Sequence, residues 1–181
     1  MEVSKPFIDG LLVLKPKVFA DERGYFFESY NSNVIEELGI SESFLQDNES
    51  LSSKGVLRGL HFQKPPHAQG KLVRVVKGKV LDVAVDIREK SPTYGQYFSA
   101  ELSGENKLML WIPAGFAHGF ITLENETIFS YKCTQIFNKE SEECLLWNDP
   151  DLNIQWGFDS PLVSDKDRLG IQFKNFKTPF K

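Results

Sequence analysis

A chain of 181 residues with 41% apolar and 25% charged side chains can bury a core of its own without disulfide or metal staples. Its net charge of −4 supplies no broad basic field, which argues against nucleic acid and anionic membrane as partners. An anionic small ligand would need a local cluster of arginine and lysine. Cys133 and Cys144 lack CxxC spacing and are too few for a disulfide scaffold. The opening MEVSKPFIDG has no leader-like basic and apolar regions, and no apolar run reaches the roughly 18 residues of a membrane helix. Reduced thiols and a cytoplasmic location are expected.

The first clear element is a short helix, capped by Ser32, running through Val34, Ile35, Glu36, Glu37 and Leu38 and ended by Gly39. Most of the remaining chain reads as strands. Residues 71–76 form one, and Lys77-Gly78 after it predicts a hairpin turn. In 79–87, Leu81, Val83, Val85 and Ile87 alternate with Val80, Asp82, Ala84 and Asp86. That period of two predicts a half-buried strand with one apolar face and one face bearing carboxylates. Further strands span 94–102, 107–112, 119–123 and 127–134, and many short strands between Gly, Pro and Asn predict a sandwich or barrel. Asn148-Asp149-Pro150-Asp151 is a turn cluster. The tail from Ser160 is polar apart from Leu169, Ile171 and Phe173; it either projects or folds back over the barrel mouth. No repeat or linker divides the chain, so one domain over 1–181 is expected.

In Gly55-Val56-Leu57-Arg58-Gly59-Leu60-His61-Phe62-Gln63, Arg58 and His61 fall on opposite faces of a regular strand, unless Gly59 permits a bulge. Taken alone, a strand histidine is more often structural than catalytic. Lys71 and Arg74, in the run after Gln69-Gly70, read by themselves as a solvated strand edge. Pro113-Ala114-Gly115-Phe116-Ala117-His118 resembles the second cupin motif, a tight turn that aims a histidine into a barrel. The His-x-His of the first cupin motif is missing, because Gln63 stands where its second histidine would be and His67 lies beside Pro65-Pro66 in a loop. A metal needs about three protein ligands, which these spacings do not offer, so no metal is expected.

Taken together, RGLHFQKPPHAQGKLVRVVKGKVLDVAVDIR, SPTYGQY, WIPAGFAHGF, YKCTQIF and LVSDKD, with DERGYFFESY and FLQDNES upstream, resemble the dTDP-4-dehydrorhamnose 3,5-epimerase family in order and spacing from about residue 5 to 168. The resemblance implies an all-β, cupin-type jelly-roll barrel with a few short helices. It implies a homodimer with an exchanged N-terminal segment and an isomerase of dTDP-L-rhamnose biosynthesis that uses no metal and no organic cofactor. The implied substrate is a dTDP-sugar, dTDP-4-dehydro-6-deoxy-D-glucose, epimerised at C3 and C5. Carried across residue by residue, His61 is the proton acceptor, Asp167 the carboxylate that orients it, Tyr131 the proton donor and Lys71 a contact of the nucleotide-sugar. Arg23, Phe26, Glu28, Gln46, Asn48, Arg58, His118, Phe137, Glu142 and Lys166 contact the nucleotide-sugar, with Arg23 in the segment that serves the partner's site.

This set suits the chemistry. A C4 ketone acidifies the protons at C3 and C5, and an imidazole near neutral pKa suits the base. A carboxylate on its other nitrogen fixes the tautomer. Lys71 supplies charge where the enolate oxygen develops, with Asp82 and Asp86 expected to hold its ammonium. Arg58 and Arg23 suit a diphosphate. The sequence departs from the family where a tyrosine usually stacks on the thymine: Phe137 stands there, and Lys139 replaces a common proline. An aromatic face remains, and a hydroxyl is lost. Two other readings keep much of this set: a single-site 3- or 5-epimerase, and a non-catalytic cupin that binds sugar nucleotides.

Overall fold

A computed structural model describes residues 1–181. Its elements are β1 (Glu2–Ser4), β2 (Leu12–Lys15), β3 (Phe19–Asp21), β4 (Gly24–Phe26), α1 (Ser32–Glu37), β5 (Gln46–Ser52), β6 (Val56–Gln63), β7 (Lys71–Lys77), β8 (Lys79–Asp86), β9 (Tyr97–Ser103), β10 (Met109–Ile112), β11 (Phe116–Thr122), β12 (Thr127–Cys133), β13 (Glu142–Cys144), β14 (Leu162–Val163) and α2 (Asp165–Arg168). No helix is long and apolar enough to cross a membrane.

Strands β5 to β12 pair antiparallel in a nested order, β5 with β12, β6 with β11, β7 with β10 and β8 with β9. Rolled up, alternate pairs fall in different sheets: β1-β2-β10-β7-β12-β5 in one and β13-β6-β11-β8-β9 in the other. This is the double wrap of a jelly roll, and the all-β, cupin-like expectation holds. The wrap overturns the expected hairpin at Lys77-Gly78. β7 pairs with β10 and β12, whereas β8 pairs with β11 and β9, so the chain crosses between sheets there. Gly78 is required at that corner, with φ +78 and a Cβ that would collide with Thr127 Oγ1.

Three apolar layers arise from the strand period. Val73, Val75, Leu110 and Phe129 of one sheet meet Val80, Ala84, Phe116 and Phe120 of the other between the sheets. Outside the first sheet, Ile35 and Ile40 pack on Leu12, Leu14, Leu72 and Trp111. The helix that carries Ile35 is capped by the Asn31 side chain, which accepts from the Asn33 N–H, rather than by Ser32. Outside the second sheet, Leu152, Ile154, Trp156, Val163 and Phe176 cover Val83, Val85 and Ile87. The C-terminal tail therefore folds back along the sheet.

That cover corrects the expectation of a half-buried β8. Asp82 and Asp86 are both fully buried, because the carboxylate face turns into the barrel and the tail seals the other face. Asp86 takes three bonds from Arg88, backbone N–H at 3.0 Å, Nε at 2.9 Å and Nη2 at 2.7 Å, and hydroxyl bonds from Ser91 at 2.5 Å and Thr93 at 2.7 Å. Burial pushes its carboxyl up, but these hydrogen bonds outweigh burial and hold it below the ordinary value. The turn cluster anchors the tail: Asp149 accepts from the Asp151, Leu152 and Phe173 N–H groups.

Truncating Trp156 to Ala is expected to lower the unfolding free energy by about 3–5 kcal/mol in urea denaturation, the cost of a large buried aromatic; a loss below about 1 kcal/mol would contradict the sealing role. Because the folded Asp86 carboxyl lies below its unfolded value near 3.9, its stabilisation is complete above that pH and fades as pH falls through the folded pKa. Asp86→Asn should flatten the acid limb of a stability–pH curve, whereas an unchanged acid limb would remove Asp86 as its source.

Candidate active site

A cavity of about 680 Å³ opens between the sheets. One wall carries Lys71 from β7, Tyr131 from β12, and Asn48 and Ser50 from β5; the other carries Arg58 and His61 from β6 and His118 from β11. Helix α2 and its cap Ser164 add Lys166 and Asp167 at the rim, with Glu142 from β13. Arg58 and His61 reach the cavity together because β6 bulges. His118 pairs with His61 and Phe120 with Arg58, so two steps along β11 match three along β6. Gly59 makes this possible: its φ is +136 and a Cβ there would sit 2.5 Å from the Gly119 Cα.

His61 Nε2 lies 2.6 Å from Asp167 Oδ1, and the other carboxylate oxygen accepts the Gly59 N–H at 3.2 Å. The Ser164 side chain caps α2 by accepting the Asp167 N–H at 3.1 Å, which fixes the residue against the bulge. Asp167 is buried, whereas the His61 side chain is 29% exposed on the cavity side. Burial raises the Asp167 carboxyl, but the hydrogen bond and charge of His61 together with the Gly59 N–H hold it below the ordinary range. An ionised carboxylate accepts only, so it sets the proton on Nε2 and leaves Nδ1 as the ring's basic nitrogen.

Lys71 Nζ donates to the His61 carbonyl oxygen at 3.4 Å. Burial pushes its ammonium pKa down against the pull of Cys133, Asp82 and Glu142. The expected partnership with Asp82 and Asp86 is not formed. Asp82 instead accepts from His118 Nε2, at 3.0 and 2.9 Å to its two oxygens, and Asp86 is taken by Arg88. Deep burial, offset by Asp82, lowers the His118 pKa and favours its neutral ring, which stacks on Phe129 at 6.2 Å. Phe129 in turn stacks on Phe120 at 4.0 Å to close the apolar floor. Tyr131 stands beside this floor with its phenol pushed up to about 12, by burial first and by Cys133 second. It carries its proton at neutral pH.

At the rim, Arg58 donates to Ser52 Oγ from Nη2 at 3.2 Å, and Glu142 pairs with Lys166 at 2.5 Å. Asn48 donates to Cys133 Sγ at 3.6 Å and accepts from Gln46 at 2.9 Å. Gln46 also accepts the Phe137 N–H at 2.8 Å, which places both residues just beyond the cavity lining, with Phe137 exposed. Arg23, Phe26 and Glu28 do not join the cavity of this chain. Arg23 pairs with Asp21 inside the β3–β4 hairpin, Phe26 is 67% exposed, and Glu28 accepts from Asn31 at 3.1 Å.

Several contributors escape the sequence reading. Phe120 and Phe129 look like ordinary core until stacking places them under the cavity. Ser164 announces itself only through the Ser-x-x-Asp cap spacing. Cys144, opposite His61 in the β6–β13 register, brings a third donor within 4.8 Å of His61 and Asp167. A metal would have to compete for committed atoms. Burial, reinforced by Asp167, pushes the Cys144 thiol up to about 12, its Sγ bonds the Leu145 carbonyl at 3.2 Å, and both Asp167 oxygens already accept. The cavity thus joins an oriented imidazole, a protonated phenol and a half-buried ammonium, a set suited to moving protons beside a carbonyl.

The model of a family described as dTDP-4-dehydrorhamnose 3,5-epimerase matches residues 5–175. The dTDP-4-dehydrorhamnose 3,5-epimerase of Shigella flexneri is 54% identical over 174 residues, 96% of each chain. The crystal structure of dTDP-6-deoxy-D-glucose-3,5-epimerase from Legionella pneumophila, in complex with dTDP-4-keto-L-rhamnose, matches with a TM-score of 0.94 and 47% identity over 97% of this chain and 94% of that one. A 3′-monoepimerase from Streptomyces bikiniensis in complex with dTDP-quinovose matches with a TM-score of 0.89 and 29% identity over 94% of this chain and 87% of that one. With the same jelly roll around the same length of sequence, the chain belongs to the dTDP-4-dehydrorhamnose 3,5-epimerase family and is an epimerase.

Proposed function

We propose that the protein inverts C3 and C5 of dTDP-4-dehydro-6-deoxy-D-glucose to give dTDP-4-dehydro-L-rhamnose, using its own side chains as acid and base, without metal or organic cofactor. The observation that carries this reading is one cavity holding the His61–Asp167 pair, the Tyr131 phenol and the Lys71 ammonium. His61 Nδ1 removes the proton beside the ketone, and Asp167 steadies the imidazolium that forms. The electron pair moves onto the C4 oxygen, where Lys71, which no carboxylate pairs, lends positive charge. Tyr131 returns a proton to the opposite face, after which solvent reprotonates the phenolate and takes the proton from His61. Inversion results because removal and return use different faces.

The rest of the ligand has a place in the same scheme. Arg58 grips the diphosphate, His118 and the Glu142–Lys166 pair line the sugar and the mouth, and Gln46, Asn48 and Phe137 meet the nucleoside, with Phe137 stacked on the base. Arg23, Phe26 and Glu28 act in the site of a second copy, in a homodimer that exchanges its N-terminal segment. The hairpin's exposed aromatics support this: Phe19, Tyr25 and Phe26 are 54%, 58% and 67% exposed, a high share for aromatic side chains clustered on one hairpin. The chain would act as one domain over 1–181 in the cytoplasm, with neither nucleic acid nor membrane as a partner. The likeness to a 3′-monoepimerase favours a second reading, inversion at one carbon only.

His61→Asn should lower kcat by about 10²–10⁴-fold while dTDP affinity stays within about threefold, and Tyr131→Phe should lose epimerised product on the same scale. Turnover unchanged in His61→Asn would sink the assignment of the base. Product with a single inverted carbon, read by proton NMR, would replace the double epimerisation with the single-site reading.

A further inference from the structure

Ser50 Oγ is the one buried side-chain polar atom of the chain without a hydrogen-bond partner. It sits in β5, where Gln46, Asn48, Ser50 and Ser52 turn inward while Asp47, Glu49 and Leu51 are exposed. Each of its inward neighbours is engaged. Gln46 bonds Asn48 and the Phe137 N–H, Asn48 also bonds Cys133, and Ser52 accepts from Arg58. Ser50 alone is left over, on a strand that lines the cavity. Folded proteins leave very few such groups, since an unpaired buried hydroxyl carries its full desolvation cost.

The register says what the hydroxyl faces. Asn48 lies opposite Tyr131 and Ser50 opposite Phe129, and the next inward residue, Ser52, holds Arg58. Ser50 is thus bracketed by the proposed proton donor and the proposed diphosphate anchor. In a nucleotide-sugar, the hexose is the group between the diphosphate and the reacting carbons. We propose that Ser50 is a sugar-binding residue whose hydroxyl pairs with an oxygen of the hexose and holds the ring in register with Tyr131. The hydroxyl turns about a single bond, so a sugar oxygen entering the cavity reaches it by a rotamer change. The inference rests on the nucleotide-sugar reading of the cavity and extends it to a residue whose hydroxyl makes no hydrogen bond within the protein.

The test is Ser50→Ala in the full chain, titrated calorimetrically with dTDP and with dTDP-glucose. Alanine removes an orphaned group rather than creating one, so the melting temperature should hold or rise. Affinity for dTDP-glucose should fall on the order of tenfold, the value of one hydrogen bond to a buried partner, while dTDP affinity stays within about twofold. Equal weakening of both ligands would mark a merely structural residue, and no weakening of either would remove Ser50 from the site; each overturns the proposal. A wild-type chain that binds neither ligand would instead overturn the nucleotide-sugar reading itself.

Discussion

The hydrogen bond of 2.6 Å between His61 Nε2 and Asp167 Oδ1 joins positions 106 residues apart and depends on almost every other feature of the fold. His61 faces the cavity because β6 bulges at Gly59, where only a glycine tolerates the approach of Gly119. Asp167 reaches the ring because α2 is capped by Ser164 and because the tail before it is sealed onto the second sheet by Leu152, Ile154 and Trp156. The tail is therefore structural and functional together. It covers the apolar outer face of β8, and it carries the carboxylate that sets the histidine's tautomer.

Charge inside this barrel is distributed so that each ionised group has a distinct partner. Asp86 is saturated by Arg88, Ser91 and Thr93, away from the cavity lining. Asp82 accepts from His118 alone, and Asp167 accepts from His61 and the Gly59 N–H. Lys71 is the exception. Its ammonium has a carbonyl oxygen and no carboxylate within salt-bridge distance, so its charge remains available. In the proposed reaction that free charge meets the enolate oxygen, and the Asp82 and Asp86 partnership expected from sequence would have spent it.

Much of this was legible before the structure. The alternation in 79–87 is a strand, the glycine-bounded segments are the jelly roll's strands, and the Arg58–Gly59–His61 spacing admits the bulge that occurs. The errors have physical reasons. A two-residue connection with glycine reads as a hairpin because local geometry says nothing of which sheet the next strand joins. Strand β8 reads as half-buried because alternation reveals two faces but not that the barrel interior takes the carboxylate face while a distant tail covers the apolar one. The cap moved by one residue from Ser32 to Asn31, since both side chains are good caps. Asp167 was reachable only by resemblance, because no local pattern links it to His61. The hairpin residues Arg23 and Phe26 lie outside this chain's cavity, where a single sequence cannot say which copy they serve.

At the centre of the proposed reaction, two side chains exchange protons with solvent on opposite faces of one sugar. Incubation of dTDP-4-dehydro-6-deoxy-D-glucose with the protein in D2O, with NMR of the product, tests this most directly. One solvent deuterium at C3 and one at C5 of the inverted sugar are the expected result. Inverted product carrying its original protons at both carbons would contradict it.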